Sequence, residues 1–114
     1  MAEIVIAPYR GRVRVSVHGE SIAESDRALE LRETGREPVI YIPMADVRMD
    51  RLKRTTHRSL CPYKGIASYW SILAGDEEIA NAVWAYEDPI STVAEIAGHV
   101  AFYPDRVDAI EAVA

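Results

Sequence analysis

Two runs rich in β-branched and aromatic residues, 66–73 and 79–86, flank Ala74-Gly75-Asp76-Glu77-Glu78. A Gly-Asp pair readily adopts the backbone of a tight hairpin turn, and runs of this composition suit strands. The pattern predicts an antiparallel pair at the centre of the chain. Any fold built on this sequence must extend or cover that hairpin.

The flanking segments carry the same signal. Arg12-Val13-Arg14-Val15-Ser16-Val17-His18 alternates strictly, so its three valines share one face of a half-buried strand, and Gly19-Glu20 turns the chain into Ser21-Ile22-Ala23-Glu24. Residues 28–33 alternate as well, despite leucines and glutamates that would suit a helix, and Thr34-Gly35 closes them. Pro38-Val39-Ile40-Tyr41-Ile42-Pro43 reads as a strand bracketed by prolines. From 44 to 65 no strand pattern is visible, only a helical turn near Ala45-Asp46-Val47, and a connection of that length inside a compact domain is more often functional than idle. Thr92-Val93-Ala94-Glu95 has the form of a capping box, 99–103 reads as a strand ended by Pro104, and 106–113 has the spacing of a brief amphipathic helix. Short strands joined by turns predict a mainly β, compact antiparallel domain over 1–114, with short helical turns near 91–96 and at the C-terminus.

At 114 residues the chain is long enough to bury a core without disulfides or structural metal. No apolar run approaches the roughly 20 residues that span a bilayer, so no membrane role is expected. The first residues lack the basic lead and apolar stretch of a secretory signal, and one cysteine permits no internal disulfide. A cytoplasmic location is the expectation. A net charge of −5 argues against broad nucleic-acid binding, which needs a basic surface to replace counterions. Arg48, Arg51, Lys53, Arg54 and Arg58 nevertheless cluster around His57 with only Asp50 opposing, either as an anion-binding patch or as a solvated basic loop.

The densest chemistry lies in Cys61-Pro62-Tyr63-Lys64-Gly65-Ile66-Ala67-Ser68-Tyr69-Trp70. Cys61 reads either as a loop thiol made reactive by Lys64, Arg58 or His57, or as a small buried hydrophobe. A nucleophilic pair would need His57 or His99 within hydrogen-bond reach. Lys64, beside Gly65 at a strand mouth, can present a cation to a ligand or stand as a surface lysine on a turn. Tyr69, Trp84, Tyr86 and Tyr103 lie on three expected strands, where they either line one pocket or pack as core, with Tyr86 and Tyr103 at strand ends and closest to solvent. His99 reads as a ligand-facing residue or an edge histidine, and His18 as turn chemistry. Histidines 18, 57 and 99 and the lone cysteine show no ligand spacing, so neither metal nor cofactor is expected.

Three segments resemble the bacterial "domain of unknown function 427" family: Cys61-Pro62-Tyr63-Lys64-Gly65-x-Ala67-x-Tyr69-Trp70, Asn81-x-x-Trp84-x-Tyr86-x-x-Pro89, and Gly98-His99-Val100-Ala101-Phe102-Tyr103-x-Asp105-Arg106-Val107. Ser25-Asp26-Arg27-Ala28 and Tyr41-Ile42-Pro43 fit the same pattern, so the resemblance covers nearly the whole chain. It implies a Mss4-like or β-tent-like fold. Zinc-binding relatives of that fold use paired CxxC knuckles, which a single cysteine cannot supply. The family is sometimes labelled nucleotidyltransferase-like, but this sequence has no metal-holding acidic constellation and no phosphate-cradling glycine loop.

The leading expectation is a domain that binds a small polar or anionic ligand at the mouth of the central hairpin. Lys64, Tyr69, Tyr86, His99, Tyr103 and Cys61 are its candidate contacts, and the basic segment helps attract the ligand. One alternative is an enzyme using Cys61 as nucleophile or redox thiol. Another is a protein–protein interaction module, of which assembly into a homo-oligomer is the simplest form.

Overall fold

A computed structural model describes residues 3–113. Its ten strands are β1 Ile4–Pro8, β2 Arg12–Val17, β3 Glu20–Ser25, β4 Leu29–Glu33, β5 Val39–Pro43, β6 Leu52–Cys61, β7 Gly65–Ala74, β8 Glu77–Ala85, β9 His99–Phe102 and β10 Ala109–Val113. They form a seven-stranded sheet ordered β1-β4-β5-β9-β8-β7-β6 and a three-stranded sheet ordered β10-β2-β3, antiparallel throughout. The fold is mainly β with short 3-10 turns, as the segment pattern predicts.

The alternation in β2 turns Val13, Val15 and Val17 onto Ile22 of the small sheet and onto Ile72, Val83, Val100 and Phe102 of the large one. Each fully buried valine or isoleucine in this layer contributes about 1.5–3 kcal/mol of apolar burial. The large sheet has a second covered face. There Leu31, Tyr41, Ala67, Tyr69, Tyr86 and Ala101 gather beneath Val93 and Ile96 of a 3-10 segment, Ser91–Ile96. Strand β7 is thus covered on both sides along most of its length, and β8 from Ala82 onward, which is why these stretches read as continuous β-rich runs rather than alternating ones.

The central hairpin forms as expected, with Tyr69 opposite Trp84 and the turn at Gly75, whose φ is +62°. Several local expectations are corrected. The stretch read as a strandless connection contains β6, a ten-residue outer strand whose side chains are mostly exposed, so no apolar alternation announces it. Its ladder to β7 covers 52–54 and 58–61, with a bulge between Arg54 and Arg58. Residues 109–113 form β10 against β2, and the helical turn near the C-terminus is confined to Pro104–Arg106. Helical spacing in so short a segment yields to the hydrogen bonds offered by the open side of β2. The capping box does not form: Ser91–Ile96 is 3-10, begins after Ile90, and has no side-chain cap. Residues 20–25, read in part as a turn exit, are strand β3, and β1 had no sequence signal assigned to it.

Candidate functional site

The second face of the large sheet is built from alternate residues, which side-chain alternation brings to one side: Leu31 and Glu33 of β4, Val39 and Tyr41 of β5, Tyr69 of β7 and Trp84 of β8. They line a cavity of about 460 Å³, within the range of ligand sites. Strand β9 places Ala101 on this face, opposite Trp84, so the middle of the sheet adds little side-chain bulk. Tyr86 and Tyr103 leave the ends of β8 and β9 toward the same space, and Arg36 and Glu37 complete the wall from the β4–β5 connection.

Lys64 enters from the β6–β7 turn. Its N–H donates to the Cys61 carbonyl at 3.2 Å, and its own carbonyl accepts from the Ile90 N–H at 2.9 Å. Gly65, with φ of +118°, follows at a point where a Cβ would meet the Asp88 carbonyl oxygen at 3.4 Å. Glycine therefore allows the turn to lie against the 88–90 segment. The turn projects Lys64 Nζ to 2.7 Å from Glu33 Oε1, and both side chains are buried, 10% and 8% exposed. In the strand order β7 lies four places from β4. At about 4.8 Å per strand a flat sheet would hold them roughly 20 Å apart, beyond the joint reach of a lysine and a glutamate. The sheet therefore curls around the cavity, and the pair bridges its two sides.

The aromatic wall is connected. Trp84 Nε1 donates to the Tyr41 hydroxyl at 3.4 Å, the Trp84 and Tyr103 ring centroids are 4.4 Å apart, and Arg106 covers the Tyr103 ring at 4.9 Å. The Tyr69 hydroxyl shares a 2.7 Å hydrogen bond with Ser59 Oγ. Burial pushes the Tyr41 hydroxyl up to about 12, and burial together with the Tyr69 hydroxyl raises Tyr103 to about 12 as well. Tyr86 is raised too, first by burial and then by the neighbouring Tyr41. These hydroxyls stay protonated near neutral pH and can both donate and accept.

Of the six candidate residues, Lys64, Tyr69, Tyr86 and Tyr103 line the cavity. Tyr86 is buried rather than near solvent, and Tyr103 is half-buried. Lys64 is not a surface lysine. Cys61 packs beside the cavity layer, half-buried, with Sγ 3.9 Å from Lys64 Nζ, and does not line the space. His99 lies outside it, its Nδ1 2.9 Å from the Ala97 carbonyl oxygen. His57 packs on the Tyr69 ring at 4.4 Å. Neither histidine is in hydrogen-bond contact with Cys61 among the described residues.

The basic segment does not join the site. Arg51 pairs with Glu20 at 2.6 Å, Lys53 with Glu78 at 3.5 Å and Arg54 with Glu87 at 2.6 Å, while Arg54 also covers the Trp70 ring. Arg58 donates to the Thr55 and His57 carbonyls. These cations are engaged along β6 rather than gathered as an open patch. Glu33, Arg36, Glu37 and Tyr41 are polar lining residues that site reasoning missed. The signal for Glu33 was present: in the alternation of 29–33 it shares a face with two leucines, a charge closing an apolar stripe. Among the described residues no three His, Cys, Asp or Glu side chains stand together as metal ligands.

A family model described as "Domain of unknown function (DUF427)", which carries a nucleotidyltransferase-like label, matches residues 5–113, and the chain belongs to that family. No curated protein matches it.

Proposed function

We propose that this member of the domain-of-unknown-function-427 family binds a small polar molecule in the open cavity lined by the curled sheet. The observation that carries this reading is the Lys64–Glu33 pair, buried in a wall otherwise made largely of tyrosine and tryptophan. Burying two charges costs several kcal/mol of desolvation per ion, and well-packed apolar residues would join the same elements at no such cost. Tyrosines in place of phenylalanines add hydroxyls to the same space. A wall with this chemistry suits recognition better than packing alone.

The reading narrows the sequence expectation of a polar or anionic ligand. Lys64 and Arg36 are balanced by Glu33 and Glu37 around the cavity, so a polar guest fits better than a simple anion. We place the protein in a bacterial cytoplasm, on the family resemblance and on a single thiol that permits no internal disulfide.

A thermal-shift screen of soluble metabolites tests the proposal. A stabilising compound should lose most of its effect on Tyr86→Phe and Tyr103→Phe, each of which keeps the ring and removes one hydroxyl. A broad screen without a stabilising compound, or a hit indifferent to both variants, overturns it.

A further inference from the structure

We infer that the cavity selects a flat, net-neutral heteroaromatic ring bearing an amide-type edge, a hydrogen-bond donor beside an acceptor, as nucleobases and aromatic carboxamides do. This deepens the reading above and rests on it.

Charge gives the first constraint. Two cations and two carboxylates border the space, so a singly charged guest meets repulsion comparable to its attraction. The second constraint is the pair itself. Lys64 Nζ has three donors, of which Glu33 Oε1 takes one at 2.7 Å and Cys61 Sγ a long one at 3.9 Å. Glu33 Oε2 accepts no hydrogen bond among the described residues, and Arg36 Nε stands 3.9 Å from it. Spare donor and acceptor capacity therefore sits side by side, complementary to the adjacent C=O and N–H of an amide edge. The third constraint is the wall around the pair. Trp84, held edge to face by Tyr41 and stacked at a tilt on Tyr103, belongs to an aromatic surface that favours a planar guest over an aliphatic one.

The experiment titrates the full chain carrying Trp70→Phe, so that fluorescence reports Trp84. The probes are cytosine, hypoxanthine and nicotinamide, against benzoate, benzyltrimethylammonium and inorganic phosphate. At least one amide-edged ring should bind about tenfold more tightly than any charged probe. Glu33→Gln should weaken it about tenfold, and His99→Ala, which lies outside the cavity, should leave it unchanged. Should Glu33→Gln fold poorly, the charge-free double variant Glu33→Gln/Lys64→Gln serves in its place with the same expected loss. Tighter binding of benzoate, the quaternary ammonium or phosphate overturns the inference while leaving the pocket standing, as does a screening hit without a planar ring. No binding by any probe, together with a screen without hits, removes both.

Discussion

Lys64 and Glu33 are 31 positions apart in sequence and 2.7 Å apart in space, joining the β6–β7 turn to the last residue of β4. The contact holds one side of a curled sheet to the other, and the cavity lies in the fold between them. Site and architecture share these two residues, so their energetics are testable without knowing any ligand.

Removing one partner leaves an unpaired charge in a buried place. Lys64→Met should destabilise the protein by about 3–5 kcal/mol, whereas Lys64→Met combined with Glu33→Leu should recover most of that loss. Urea denaturation of the two single variants and the double variant measures the coupling. A double variant as unstable as the sum of its parts would show that the pair does not act as a unit.

The tyrosines set an alkaline limit. A hydroxyl whose folded value is raised stabilises the folded state fully below its ordinary value of 10, and that contribution is lost as pH rises toward the folded value, about 12 for Tyr41 and Tyr103. Stability should therefore fall between roughly pH 10 and 12. The tyrosinate absorbance of Tyr41, Tyr86 and Tyr103 should appear only well above pH 10. A single step near pH 10 in the folded protein would contradict their burial.

Gly65→Ala forces a side chain onto a backbone with φ of +118° and brings its Cβ to 3.4 Å from the Asp88 carbonyl oxygen. A cost of about 1–2 kcal/mol is expected. Gly35→Ala, also at positive φ but with open space around it, should cost less. Comparing their denaturation midpoints separates backbone strain from the close approach that seats Lys64.

Ile72 is fully buried between the sheets, on the face away from the cavity. Ile72→Ala should cost about 2–5 kcal/mol, by lost burial and the space left behind. Ligand affinity, measured at a temperature where the variant is folded, should change little. An equal loss in both would mean that the two apolar layers are mechanically coupled.

The sheet was legible wherever burial leaves a pattern. The valine alternation of β2, the bracketed run of β5 and the Gly75 hairpin each declare themselves through one local cause, and each is present. Strand β6 was not legible, because an outer strand with exposed side chains has no apolar face to display. Residues 106–113 misled in the opposite way: their spacing suits a helix, and the open side of β2 takes them as a strand instead. Within the site, the tyrosines and Lys64 stood out by type and by neighbourhood. Tyr41 did not, and Glu33 showed only as a charge closing an apolar stripe, because both reach the cavity through the curl of the sheet, which follows from contacts between strands distant in the chain.

The interruption of β6 between Arg54 and Arg58 also matters for the protein in a crowded solution. A ten-residue outer strand without irregularity would offer a long row of open backbone donors and acceptors, a template onto which another chain could add. The bulge divides that row into two short stretches, along which stand the long charged side chains of Lys53, Arg54 and Arg58. Two such margins meeting side by side would find no continuous register. Straightening the strand by deleting the two residues it carries in excess between Arg54 and Arg58 should therefore raise the tendency to aggregate, even with the core and cavity intact.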